Sequence, residues 1–327
     1  MGRMEICEVD VHDLEQLRQW HDAEGAAITN DRPHALLRTF DALVNRVTVP
    51  SAYYRPTLLA AFEGDQVVGT AELGFFLQEN THLAGLEITV RPEHRRQGIG
   101  RALYAEATAR RRAAGRTSAS GELHVVDDPG PLAFARAMGA ESVHEEDHLL
   151  LDLPMGGDKI AELAARTSND YEIVTWKGRC PDELIDPYAA MRTQMNQDVP
   201  LGELDYHPIV MTPERIRASE ERLALSFETC VAAARRADGV LGGYSLVFLP
   251  LGGDQAQQDD TLVMPEHRGH RLGLALKLAT YAVIATEHPE RTVLHSYTDP
   301  ANHAMHATNL AFGYRSVERM HEVQVKD

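Results

Sequence analysis

The sequence predicts two consecutive copies of one α+β domain, in which strands alternate with amphipathic helices. Three observations predict it. Residues 90–100 read VRPEHRRQGIG and residues 263–273 read VMPEHRGHRLG, with Val, Pro, Glu, His, Arg and the last Gly at the same spacing. The offset of 173 residues is longer than a solenoid repeat, so the repeated object is a whole domain. Each stretch also lies between an apolar strand-like run and a helix-like run. A chain of 327 residues has room for two such domains.

The elements follow in order. Met4, Ile6 and Val9 alternate as in a strand, and Leu14, Leu17 and Trp20 recur at helical spacing. Residues 56–77 read as a hairpin turning at Glu63, Gly64 and Asp65, followed by a strand over 82–90. Residues 98–114 carry a helix pattern, 117–126 a strand, and 130–138 a short helix stopped by Gly139. Short strands around Val143 and 148–153 close the first copy. Residues 171–176 open the second copy as a strand, and helices are expected within 181–195 and 212–225, the latter started by Thr212, Pro213 and Glu214. A hairpin turns at Ala237, Asp238 and Gly239. A strand at 259–263, a helix over 272–287, a strand over 291–297, a helix near 302–311 and a last strand complete the order. Pro154, Gly156 and Gly157 mark a linker, which gives domains at 1–153 and 169–327 joined by 154–168.

Composition narrows the function. Apolar residues make up 43%, enough for a sizeable core, and no run of 18 apolar residues suggests a membrane span. The N-terminal stretch lacks the apolar core of a signal peptide. Cys7, Cys180 and Cys230 are far apart and lack C-x-x-C spacing, so reduced thiols and a cytoplasmic location are expected. A net charge of −17 disfavours nucleic acid and anionic membranes and favours a cationic small substrate, although the same charge also serves solubility alone. A monomer or homodimer is expected. His303 and His306 share a helix face, but with no third ligand in view no metal is expected.

A strand, a basic glycine turn and a helix together suggest an anion site. The first helical turn has unpaired N–H groups and the positive end of the dipole, and glycine admits a close ligand. The spacing is neither G-x-G-x-x-G nor a phosphate-binding G-K-[ST] loop. RRQGIG at 95–100 matches the [QR]-x-x-G-x-[GA] signature of the GNAT acetyltransferase superfamily. The strand before it and the helix and strand around 134–143 are similar to that superfamily as well. The chain resembles a tandem GNAT protein, of the two-domain kind that includes mycothiol synthase-like enzymes. The resemblance implies two GNAT-type domains, each a mixed, mostly antiparallel central sheet flanked by helices. It implies acetyl-CoA as co-substrate, its pyrophosphate cradled by Arg95, Arg96, Gln97, Gly98, Ile99, Gly100 and Arg101 in the first half. The second-half counterparts are Arg268, Gly269, His270, Arg271, Leu272 and Gly273. Val90 and Val263 would offer backbone hydrogen bonds to the thioester arm, and Asn302 holds the superfamily's helix-start asparagine position. Arginines at 110–112 suit the negative end of their helix, with binding of the coenzyme's 3′-phosphate as the alternative role.

Both halves depart from the pattern. Arg271 stands where the first glycine belongs. The tyrosine position that commonly protonates the leaving thiolate is Ala135 in one half and Asn309 in the other. Tyr104, Tyr297 and Tyr314 are candidate substitutes. An alkylamine acceptor is only about 0.04% neutral at pH 7 for a pKa of about 10.4, so a base matters. Glu87 and Asp260 each lie three residues before the strand-end valine, which alternation places on the opposite face. Each reads either as a solvated strand charge or as a general base or ammonium anchor. The expected activity is acetyl transfer from acetyl-CoA to an amine of a small cationic molecule. The alternatives are acylation of an amino-sugar thiol, as by mycothiol synthase, and acyl-CoA binding without catalysis.

Overall fold

The computed structural model describes residues 4–167 and 170–327. These residues form two compact units. The first unit contains a six-stranded sheet in the order β1-β2-β3-β4-β5-β12. Its strands are β1 (Glu5–Glu8), β2 (Tyr54–Glu63), β3 (Gln66–Phe76), β4 (Leu83–Val90), β5 (Ser118–Val125) and β12 (Arg315–Lys326). Neighbours run antiparallel except β4 and β5, which are parallel. Alternation along β2 sends Leu58 and Ala60 to one face and Leu59 and Ala61 to the other. The first face packs against α1 (Leu14–Asp31) and α2 (Phe40–Thr48) through Leu17, Trp20 and Leu43. The second packs against α3 (Ile99–Ala113) through Ile99, Leu103 and Ala107. Each fully buried leucine contributes about 1.5–3 kcal/mol. Asp13 caps α1 by accepting from the amides of Glu15 and Gln16, and Thr39 caps α2. A short helix, α4 (Gly130–Ala137), follows β5.

The second unit repeats this plan in the order β6-β11-β10-β9-β8-β7. The strands are β6 (Glu141–Asp152), β7 (Glu172–Lys177), β8 (Phe227–Arg235), β9 (Leu241–Pro250), β10 (Gln255–Val263) and β11 (Val293–Thr298). Here β10 and β11 form the parallel pair. Helices α6 (Ile185–Asp198) and α7 (Pro213–Leu223) cover one face around Trp176, Tyr188, Ile216 and Tyr244. Helix α8 (Leu272–Glu287) covers the other with Leu272, Leu274 and Leu276, and α9 (His303–Phe312) precedes β12. The expected strands and helices are present, except that the two short strands expected around Val143 and at 148–153 are one strand, β6; the fold is the tandem α+β arrangement the sequence predicts.

Three features lie outside the sequence reading. Helix α2 was not expected. The proposed linker contains a helix, α5 (Gly157–Ala164), whose Leu163 is fully buried. Ser168 and Asn169, where linker and second domain were to meet, lie outside the described residues. The compact units also differ from the halves of the chain. The first unit includes 201–207 and 318–327 as well as residues up to Glu145, and the second begins at Glu146. Each sheet thus takes its sixth strand from the other half of the sequence. Glu318, buried in β12, accepts from Arg32 at 2.6 Å, and Arg111 and Arg112 both donate to Asp327. Two of the arginines read as dipole partners are therefore anchors of β12, while Arg110 pairs with Glu8 and Glu106. Among the described residues no helix is long and apolar enough to cross a membrane.

Deleting residues 318–327 should expose the outer edge of β5 and leave Arg111 buried without its carboxylate. Hydrogen exchange should then show lost protection across 118–125. Unchanged protection there would mean that β12 is not needed to complete the first sheet.

Candidate active site

In the first unit β4 ends at Val90, a turn of 3-10 helix spans Pro92–His94, and α3 begins at Ile99. Between them the chain is left-handed at Arg96 (φ +61°) and Gly98 (φ +88°). The amides of Ile99, Gly100 and Arg101 open α3 and have no acceptor within the helix. A Cβ built at Gly98 would meet nothing within 4 Å. The turn is an open cradle at the positive end of a 15-residue helix, which suits a pyrophosphate. Arg96, Gln97 and Arg101 are exposed around it. Arg95 is engaged within the protein: it donates to the carbonyls of Val90 (3.1 Å) and Ala27 (3.2 Å) and pairs with Asp31 at 2.8 Å. It ties the turn to the end of α1. Phe134 stands beside Gly100, with ring atoms 3.4 Å from where a Cβ would be.

Next to the cradle the sheet opens. Strand β4 pairs with β5 only at Leu83, Ala84 and Gly85, while its pairing with β3 continues to Val90. Leu86 still lies close to β5, and beyond it the inner edge of β4 has no strand partner on that side. The gap begins at Gly121, where a Cβ would lie 2.1 Å from the Leu86 carbonyl oxygen. Only glycine fits there.

The face of β4 opposite Val90 carries charge. Glu87 lies directly across from Glu72 on β3. Glu72 is buried between Arg38 and Arg46, at 2.9 and 2.6 Å, and Arg38 also pairs with buried Glu24 at 2.6 Å. Burial alone would raise the Glu72 pKa, but the two guanidiniums outweigh it and hold the carboxyl below its usual range. Glu87 has no hydrogen-bond or ion-pair partner among the described residues. It is exposed by area yet crowded by protein, a combination that a recess produces. The crowding governs its chemistry: burial, and then the charge of Glu72, push its pKa up. Tyr54 completes the recess. Its ring lies over Gly74 and Gly85, a registered pair on β3 and β4, and a Cβ at Gly74 would sit 1.6 Å from its hydroxyl. Burial and then Glu72 raise this phenol to about 12, so it stays protonated.

An open strand pair beside an anion cradle at a helix start is the feature to set against known proteins. Residues 14–139 match the Acetyltransferase (GNAT) family. A tandem GNAT protein from the clavulanic acid biosynthesis pathway, solved without acetyl-CoA, is 28% identical over 99% of this chain and 98% of its own, with a TM-score of 0.84. Residues 14–139 thus match a GNAT acetyltransferase domain, and the chain as a whole is similar to a tandem GNAT protein. Two more distant structures share the fold. A GCN5-related N-acetyltransferase from Sphaerobacter thermophilus is 13% identical over 100% of this chain and 96% of its own (TM-score 0.67). Saccharomyces cerevisiae N-myristoyltransferase with bound myristoyl-CoA and inhibitors is 11% identical over 100% and 80% (TM-score 0.63). No curated protein sequence matches the chain significantly. The protein is thus an acyltransferase of tandem GNAT architecture, from a family that uses acyl-CoA.

The second GNAT unit keeps the plan and alters the details. Strand β10 pairs with β11 only from Gln255 to Gln257, so the same gap is present. Arg268 repeats Arg95, donating to the Val263 carbonyl and pairing with Asp198 at the end of α6. The left-handed positions are again two, but glycine and arginine have traded places: Gly269 at φ +88° and Arg271 at φ +55°. Arg271 therefore carries a side chain where Gly98 leaves open space, and it reaches the Arg166 carbonyl. His270 lies 3.3 Å from Asp170, and Leu272 is buried at the start of α8. Asp260 is a satisfied group, accepting from the Tyr244 hydroxyl at 2.7 Å and lying 3.3 Å from Arg192. A bulge between Gln258 and Thr261 separates its setting from that of Glu87. Its neighbour Asp259 is raised to about 7 by burial and then by Asp260.

Other expected residues are engaged or buried within the protein. Asn302 caps α9 through Met305, and Asn309 is buried with its amide on Thr298. Of the candidate tyrosines, Tyr104 donates to the Met138 carbonyl, Tyr297 stacks on His148, and Tyr314 is buried. Sequence reasoning missed Arg38, Arg46, Glu24, Glu72 and Tyr54. The facing glycines 74 and 85 were the available signal for Tyr54, since they leave a sheet surface bare for a ring.

Replacing Glu87 by Gln should stabilise the protein at pH 7. A carboxyl whose folded pKa is raised costs stability above that pKa. The cost is relieved as pH falls toward the unfolded value of about 4.3. The Tm advantage of Glu87→Gln should therefore be largest at neutral pH and vanish below pH ~4. An advantage that is flat with pH would show that Glu87 is not held in a charge-disfavouring recess.

Proposed function

We propose that the first unit transfers an acetyl group from acetyl-CoA to an amine of a small, cationic molecule. The observation that carries this reading is Glu87. It is the one carboxylate of its cluster with no guanidinium, it faces a recess, and it lies on the strand whose inner edge is open. Three carboxylates (Glu24, Glu72, Glu87) meet two guanidiniums (Arg38, Arg46), so the recess keeps one negative charge for an ammonium group.

The coenzyme supplies the activated acyl thioester. The residues of this chain do the rest. The amides at the start of α3, with Gly98 leaving the approach clear, hold the phosphates. The open edge of β4 beyond Leu86 aligns the thioester arm by backbone hydrogen bonds. Glu87 anchors the acceptor ammonium and takes its proton, directly or through water, a role that its raised pKa suits at neutral pH. Tyr54 presents a protonated hydroxyl to the same recess. The departing thiolate has an ordinary pKa near 8.5, so it leaves without the usual tyrosine. The second unit takes the weaker part, because Arg271 fills the space that Gly98 leaves open and Asp260 is already paired.

Two variants test this. Gly98→Val forces a β-branched residue to φ +88° and puts its side chain into the cradle. Acetyl-CoA affinity of the intact protein by calorimetry should fall at least tenfold, and an unchanged tight site would move the coenzyme to the second unit. Glu87→Gln should lower kcat about 10²- to 10⁴-fold, remove the acidic limb of the pH–rate profile and leave coenzyme affinity intact. Full kcat with a raised acceptor KM would make Glu87 an anchor and not a base. Loss of activity on Asp260→Asn alone would place the chemistry in the second unit.

A further inference from the structure

Away from the coenzyme cradle, the first unit carries a second group of chemically active side chains. Segment 201–207 belongs to this unit although it comes from the later half of the chain. It brings Asp205 and His207 beside His82, which lies just before β4. One ligand atom from each of the three lies within 4.8 Å of the others, the one such trio among the described residues. His82 Nε2 and Asp205 Oδ1 are 3.5 Å apart, and the two imidazole rings are 5.5 Å apart between centroids.

The backbone beneath this trio is braced. Asn80 is buried and left-handed at φ +52°. It grips His207 twice, donating to its carbonyl at 3.0 Å and accepting from its amide at 2.7 Å. Buried Gln324 accepts from the Asp205 amide at 3.0 Å. Glu203 donates to the Val143 carbonyl, and Gly202 packs so closely that a Cβ would lie 2.0 Å from that oxygen. Two side-chain amides and a close backbone contact thus fix the segment, while the imidazoles and the carboxylate are left at the surface.

We propose that His82, Asp205 and His207 form a divalent-cation site whose preferred occupant is zinc. Two imidazoles and one carboxylate are a donor set suited to zinc, with a fourth position left to water. Tetrahedral bonds of about 2.0–2.1 Å place neighbouring ligands about 3.3 Å apart, close to the His82–Asp205 separation already present. The cation takes the place of the contact between His82 Nε2 and the Asp205 carbonyl. Lys326 lies 3.7 Å from Asp205 Oδ2, the other carboxylate oxygen, and its side chain is more than half exposed, so it can turn to water. The bound ion would pin segment 201–207 to β4. This site is independent of the acyl-transfer assignment.

The test uses the full chain, stripped with chelator and titrated with zinc chloride by calorimetry. One equivalent should bind with a Kd in the low micromolar range or tighter, and the unfolding temperature should rise with zinc concentration. The double variant His82→Ala, His207→Ala should lose at least tenfold in affinity and most of the thermal shift, while its circular dichroism matches that of the parent. Cobalt substitution should give visible absorption typical of four-coordinate nitrogen and oxygen ligation, absent in the double variant. No saturable zinc binding, equal binding by the double variant, or equal competition by magnesium would each overturn the proposal.

Discussion

The parting of two parallel strands organises this protein. After three paired residues β4 leaves β5, and the backbone beyond Leu86 loses the partner that a sheet would give it on that side. Polar backbone edges need hydrogen bonds, so an open edge inside a folded unit is a place for an extended ligand. Everything else at the site is arranged relative to that opening. Gly121 sets where it begins, α3 starts at its mouth with free amides, and Glu87 stands on the face behind it. The same parting recurs between β10 and β11, which is why the two units share a plan even where their side chains disagree.

Charge balance sets the character of the face behind the opening. A carboxylate pair facing each other across β3 and β4 would repel strongly in a low dielectric. The fold relieves the pair unequally, giving both nearby guanidiniums to Glu72 and none to Glu87. The second unit resolves the same position differently. There a tyrosine and an arginine satisfy Asp260, and Trp176, Tyr188 and Tyr244 stack edge to face around it. One unit keeps a polar recess and the other fills it with rings, so duplication of the fold did not preserve two equal sites.

Much of this was legible in the sequence. The repeat located both glycine turns and the strands that lead into them, and strand alternation put Glu87 on the face away from Val90. What the sequence hid was long-range. Phe40, Leu43, Val44 and Val47 have helical spacing, but the segment is short and flanked by irregular chain, so α2, its Arg46 and the preceding Arg38 went unseen. The ion pairs of Arg38 and Arg46 join residues 14 to 34 positions apart, and no local pattern encodes them. Arg95 and Arg268 look like phosphate ligands from their place in the motif, yet geometry engages both with the ends of helices. The exchange of β6 and β12 is also invisible locally, because a strand's own residues read the same whichever strand it pairs with.

That exchange has a consequence for how the chain is made. The first sheet lacks its last strand until residues 318–327 are available, although most of its residues emerge early. At about 5–20 residues per second, the roughly 180 residues after Glu145 take on the order of ten to forty seconds to synthesise. Through that interval the outer edge of β5 waits unpaired, with its backbone amides and carbonyls open to any strand nearby. A tandem protein built this way does not mature one domain at a time; its first domain is among the last parts to be finished.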